Sequence, residues 1–169
     1  MHIHVAVCDL TDLPVDAVVN PTNSQGLMSH GVSEMLRQLG GRVIEEEARA
    51  SAPIAVGAAV VTTGGSLHAR HVIHVPTTEE PGVKTTIENV RRATRAALIA
   101  AAARGLHSIG LPPMGGDLGS VPDDEAARAM VDELRAHKPP VPDTVYLVTQ
   151  SAEMVADYEE ALRNASNPG

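Results

Sequence analysis

Phenylalanine and tryptophan are absent from this 169-residue chain, and Tyr146 and Tyr158 are its only large aromatic residues. Base-stacking platforms are therefore nearly missing. Lysine is almost as scarce, with only Lys84 and Lys138, and the formal net charge is −8. No basic stripe is available to follow a nucleic-acid backbone, which argues against a nucleic-acid partner. Cys8 is the one cysteine, so no internal disulfide can form. No apolar run is long enough to cross a bilayer, and "MHIHVAVCDL" lacks the basic and apolar regions of a signal peptide. The expectation is a soluble cytoplasmic protein without a membrane partner. The length suits one domain over residues 1–165 with a frayed tail at 166–169.

What is present is a regular change of hydrophobic period. His2 to Cys8 alternates, with Ile3, Val5 and Val7 on one face, as in a half-buried strand. Asp16 to Asn20 is a short apolar strand. A helix begins at Gly31, with Val32, Met35, Leu36 and Leu39 as its inward stripe and Gly40 as its stop. "GRVIEEEARAS" reads as a second helix with Glu45, Glu46 and Glu47 on a solvated face. "VGAAVVTTGG" and "ARHVIHVP" read as strands. The longest helix follows, entered by a capping box at Thr85 and Glu88 and closed by Gly105. Its stripe is Ile87, Val90, Thr94, Ala97, Leu98 and Ala101. "HSIGLP", a helix over Asp123 to His137, "TVYLVT" and a helix in "AEMVADYEEALRN" complete a β-β-α-α-β-β-α-β-α-β-α order. That order implies an α/β fold, a mixed sheet between helical layers, with parallel pairing in the second half.

Two loops leave strand ends and enter helix N-termini: Asn20 to Val32, and Pro112 to Asp123. Helix N-termini attract anions, and Gly115, Gly116 and Gly119 permit close approach of backbone amides to phosphate. Ligands of open α/β sheets sit where such loops converge. With so few cations, any phosphate must be held mainly by main-chain N–H groups. His68, His71 and His74 do not make a metal site, because His71 and His74, three apart on a strand, point to opposite faces. Neither a metal nor a cofactor is expected. Cys8 reads as a buried small residue.

The segments "CDLTDLPVDAVVNPTNS", "GVSEMLRQLGG", "VGAAVVTTGGSL", "ARHVIHV", "VRRATRAAL" and "GLHSIGLPPMGGDLGSVP" occur in the order found in macro domains. The chain resembles that family, whose members recognise ADP-ribose in a three-layer α/β/α sandwich. The resemblance implies that Asp9 accepts a hydrogen bond from the adenine amino group, with the Leu10 backbone beside it; an Asx turn at Asp9 is the other reading. It implies that Asn23 faces the distal ribose while Asn20 ties the loop to the sheet. Ser29, His30, Gly31 and Val32 match the first ligand loop. Pro113, Met114, Gly115, Gly116, Asp117, Leu118, Gly119, Ser120 and Val121 match the second. His74 matches a family histidine read as structural.

The departures from the family pattern concern catalysis. Ser33 stands where hydrolytic members of one branch carry Asp. Ser29 and His30, and Thr78 after Pro76-Thr77, stand where another branch carries its key Lys. Asp117 replaces a usual glycine; at about 5 Å from a diphosphate its charge would cost about 1–3 kcal/mol unless it turns away, pairs, or acts on a water. A capping role is its other reading. His30 either meets a phosphate or shuttles a proton, or is simply a solvated loop residue. Gly119 stands where the family often has an aromatic cover.

The leading expectation is a module that binds ADP-ribose, free or on a modified protein. The alternative is an ADP-ribosyl hydrolase or O-acetyl-ADP-ribose deacetylase in which Asn23 and Asp117 hold the attacking water. A domain for another nucleotide, or for RNA through adenine, is a third reading, disfavoured by charge and by the lack of aromatics. The sequence specifies no oligomeric state and allows a monomer.

Overall fold

Ala17, Val18 and Val19 are all fully buried, as in a strand covered on both faces. The computed structural model describes residues 1–116 and 120–165, the side chain of residue 165 excepted. Within them the chain runs β1 (His2–Val7), β2 (Ala17–Asn23), α1 (Gly31–Gly40), α2 (Arg42–Ala50), β3 (Val60–Thr63) and β4 (His71–Thr78). It continues as α3 (Ile87–Arg104), β5 (Ser108–Leu111), α4 (Asp123–Ala136), β6 (Thr144–Thr149) and α5 (Ala152–Ala165), with a short 3-10 turn at Leu10–Asp12. This is the order read from the periodicity.

The six strands form one sheet in the order β1-β6-β5-β2-β4-β3. All pairings are parallel except β3 with β4, so the sheet is mixed. Alternation sorts the strand residues into two layers. Ala17, Val19, Ile73 and Val75 pack with residues of α3, α4 and α5, whereas Val18 and Val72 pack with Met28, Leu36 and Ile44 on the α1–α2 side. An α/β/α sandwich results. On the outer side, Arg95 makes two hydrogen bonds to the nearly buried Glu133, at 3.1 and 2.9 Å, and joins α3 to α4.

β2 pairs with β5 only through Ala17 and Val18, but with β4 along its whole length. Beyond Val18 the sheet splits on the β5 side. Both ligand-loop candidates leave at this split, where the chain order reverses between neighbouring parallel strands.

Several details differ from the periodic reading. β2 continues through Pro21 and Thr22 to Asn23, so part of the supposed loop is strand. On α1 the buried line is Ser33, Leu36 and Gly40, while Met35 and Leu39 face outward. Val7 is exposed because β1 is an edge strand paired only with β6, and Ile87 is exposed in the first turn of α3. Cys8 is only half-buried; burial and the neighbouring Asp9 and Asp12 push its thiol pKa up. The second helix's acids are not merely solvated: Glu45 accepts from the Met28 N–H at 2.7 Å, and Glu47 from the Thr63 N–H at 3.0 Å.

The cap of α3 is Thr86 rather than Thr85, its side chain accepting the Asn89 N–H at 3.2 Å. Thr85 instead turns inward and donates to the Thr77 carbonyl. Thr86→Ala is expected to lower stability by about 1 kcal/mol in urea unfolding, the usual loss of an N-cap oxygen; no loss would show that α3 starts without it.

Candidate functional site

The split beside β2 opens into a cleft of about 560 Å³. Its floor is the end of β2, at Pro21, Thr22 and Asn23. One wall is the first loop and the start of α1, at Leu27, His30, Val32 and Ser33; the opposite wall is Pro113, Met114, Gly115 and Gly116 of the second loop. A third side comes from the end of β4, at Thr77 and Thr78, and from its connection to α3, at Pro81, Gly82, Val83 and Thr85. None of these described lining residues is Asp, Glu, Lys or Arg. The first-turn N–H groups of α1 have no intrahelical acceptors, and Val32 and Ser33 carry two of them at the wall. The site therefore offers backbone donors and hydroxyls in place of cations, a composition suited to an anion held by main chain.

Each wall is braced. Asn23 accepts the N–H groups of Gln25 and Leu27 at 3.0 and 3.4 Å and donates to the Leu27 carbonyl at 3.3 Å, so its side chain mainly holds its own loop. Glu45 ties that loop to α2 through Met28, which is itself buried. The second loop is closed by the Val121 N–H donating to the Gly115 carbonyl at 2.9 Å, with Val121 in the core. Ser120 accepts the Thr85 N–H at 3.3 Å and so joins the second loop to the β4–α3 wall.

Beneath α1 runs a buried polar series. Ser33 Oγ donates to Asn20 Oδ1 at 2.7 Å, Asn20 Nδ2 lies 3.1 Å from His74 Nδ1, and His74 Nε2 lies 2.9 Å from Thr62 Oγ1. Asn20 and His74 are register partners on β2 and β4. Burial pushes the His74 pKa down to about 4, so the ring is neutral at neutral pH. Asn20 thus ties α1 to the sheet, and His74 is structural in the sense that it is not among the residues that line the cleft. His71 meets the Thr62 carbonyl with its Nδ1 at 3.2 Å, whereas His74 meets the hydroxyl of that same residue.

A family model described as Macro domain matches residues 19–130. The chain belongs to the macro domain family. Among relatives of this macro domain, a protein from Aquifex aeolicus is 46% identical, the match covering 96% of this chain and 98% of that one. A Trypanosoma brucei macrodomain solved in complex with ADP-ribose aligns with a TM-score of 0.82 at 25% identity, over 95% of this chain and 69% of that one. An Oceanobacillus iheyensis macrodomain mutant with ADPR aligns with a TM-score of 0.82 over 97% and 92% of the two chains; at 22% identity that likeness is one of fold.

Part of the set of residues read as ligand-binding comes together at the cleft of this macro domain. Asn23, His30, Val32, Pro113, Met114, Gly115 and Gly116 line the cleft. Gly31 opens α1 with φ of +62° beside it, and Ser29 sits at the rim, its Oγ 3.2 Å from His30 Nδ1. Asn20, Ser120 and Val121 act from behind the walls. Asp117, Leu118 and Gly119 lie outside the described residues. Asp9 does not line the cleft: its Oδ1 accepts from the Thr11 N–H at 3.0 Å and the Thr11 hydroxyl at 2.7 Å, the Asx reading, and Leu10 is buried in the core. Asp9 nevertheless follows β1 at the same end of the parallel sheet, three strands from β2, or about 14 Å at the usual spacing. The periodic reading missed Ser33 as a wall residue and the whole β4–α3 side. Thr77, Thr78 and Thr85 carried no signal by spacing; the family pattern marked Thr78 only as a position where one branch carries Lys, and the carboxyl end of β4 at Thr77 and Thr78 was the other pointer.

Proposed function

We propose that this macro domain binds ADP-ribose, free or attached to a modified protein. The observation that carries the reading is the cleft itself: a cavity with no Lys or Arg among its described lining residues, at the split of the sheet, walled by two strand-to-helix loops that present main-chain donors. A diphosphate is held there by backbone N–H groups, and the ribose beyond it meets the hydroxyl-rich end beside Asn23 and Ser33. Adenine lies across β5 and β6 toward Asp9, whose Oδ2 remains available after Oδ1 has capped the turn. A carboxylate oxygen facing an exocyclic amine favours adenine over guanine. The ADP-ribose complex of the Trypanosoma brucei relative supports the same ligand class.

Calorimetry with ADP-ribose, AMP and ribose 5-phosphate tests this. ADP-ribose is expected to bind most tightly; no binding below millimolar concentration would end the reading. Asp9→Asn keeps an oxygen for the turn and replaces the other acceptor by a donor. It is expected to weaken ADP-ribose about 10-fold or more, the loss of a charge-assisted hydrogen bond, while ribose 5-phosphate is unchanged. Equal weakening of both would contradict the adenine contact.

A further inference from the structure

The series from Thr62 to Ser33 has a direction. Asn20, His74 and the two hydroxyls can each donate or accept, so two opposite arrangements of protons satisfy the same heavy-atom distances. One end decides between them. Thr62 Oγ1 also lies 3.0 Å from the Thr63 carbonyl and donates to it. Donating to that carbonyl, the Thr62 hydroxyl turns its lone pairs to His74, which matches the Asn20 amide, set with Nδ2 toward the ring and Oδ1 toward Ser33. The His74 proton is then on Nε2, and Nδ1 accepts from Asn20 Nδ2 at 3.1 Å. That turns Asn20 Oδ1 toward Ser33, whose hydroxyl donates to it at 2.7 Å. Thr62, His74 and Asn20 have relative exposures of 0 to 3%, so water does not compete for the inner positions.

The consequence appears in the cleft. Ser33 lines it, yet its hydroxyl proton points away, into the sheet. What the Ser33 side chain, as distinct from its backbone N–H, shows a ligand is lone pairs. We propose that Ser33 is a specificity-determining acceptor, oriented from Thr62 through His74 and Asn20, that selects a neutral sugar hydroxyl over a terminal phosphate at the end of the cleft beside Asn23. A ribose hydroxyl supplies the proton that this acceptor lacks. An ionised phosphate oxygen brings only more lone pairs and is repelled. With the opposite direction Ser33 would donate, and the preference would reverse. The inference rests on ADP-ribose as the ligand class and adds how the site distinguishes it from ADP, which ends in phosphate where ADP-ribose carries its second ribose.

The test has two arms. Long-range proton–nitrogen NMR on the intact protein reads the His74 tautomer without any ligand: a proton on Nε2 is expected, and one on Nδ1 overturns the relay. Calorimetry then compares ADP-ribose with ADP. Ser33→Ala is expected to reduce the ADP-ribose preference about 3- to 10-fold, one neutral hydrogen bond, with ADP binding unchanged or tighter. Ser33→Thr, which keeps the hydroxyl, is expected to retain the preference. Thr62→Val, remote from the cleft, removes the anchor; the His74 proton is expected to move to Nδ1 and the preference to fall as in Ser33→Ala. A merely structural role would lower stability in Thr62→Val and leave the ligand ratio untouched, which would overturn the proposal. Wild-type protein that binds neither nucleotide defeats the ligand reading instead and with it the selection, while the tautomer result still decides the relay.

Discussion

Gly115→Ala is expected to weaken ADP-ribose binding by roughly 100-fold and to lower stability by roughly 2–5 kcal/mol, the sum of a strained backbone and an overpacked contact. Gly115 has φ of +86°, a conformation that L side chains rarely adopt. A Cβ there would also lie 2.9 Å from Val90 Cγ2 and 3.1 Å from Val121 Cβ. Neither neighbour can withdraw easily. Val90 is fully buried in α3, and Val121 is held by its hydrogen bond to the Gly115 carbonyl. The loop must therefore move, and it is the wall that faces the ligand. Gly116→Ala is the control: its Cβ meets nothing within 4 Å, and normal stability is expected. Urea unfolding and calorimetry on the two variants separate backbone strain from the mere addition of a methyl group. Unchanged affinity in Gly115→Ala would remove this loop from the binding site.

The succession of elements was legible because each strand and helix carries its own period, and the positions of Gly105 and of the second loop followed from turn chemistry. The orientation of α1 was not. Val32, Met35, Leu36 and Leu39 form the most apolar stripe, yet the helix turns Ser33, Leu36 and Gly40 to the sheet. Two tertiary contacts fix that rotation. Ser33 must reach Asn20, and Gly40 allows a close approach in which a Cβ would come 2.4 Å from Ile44 Cδ1 and 2.9 Å from Leu67 Cγ. Small and polar residues on a buried face are invisible to hydrophobic periodicity. The relay was hidden for a related reason. Asn20 and His74 are 54 residues apart and become neighbours only through the β2–β4 register. The family resemblance already gave the two asparagines different roles, and strand position accounts for the difference: Asn20 bonds Ser33 of α1, and Asn23, past the register shift, braces the first loop.

Lowering the pH from 6.5 to 4 is expected to destabilise the protein by roughly 3 kcal/mol through His74 alone, at 1.36 kcal/mol per pKa unit. The sign follows from where protons bind. The unfolded imidazole takes up a proton near 6.5, whereas burial holds the folded one neutral down to about 4. Between those values the unfolded state binds more protons, so stability rises with pH across the window and levels off above it. The geometry adds a reason beyond burial. Nδ1 is faced by an amide that donates, so protonating it sets two donors against each other unless Asn20 turns over, and that would break the bond from Ser33. His74→Gln is expected to be less stable at neutral pH and to lack most of this slope. Carboxylates contribute lower down; Asp143, held below the usual range by hydrogen bonds from His107 and Thr144, loses its contribution as pH falls through that lowered value. Urea midpoints of the two proteins between pH 7.5 and 4.5 decide the matter. Parallel curves would mean that His74 charges in place, and a ring that charges in place cannot hold the Ser33 proton inward.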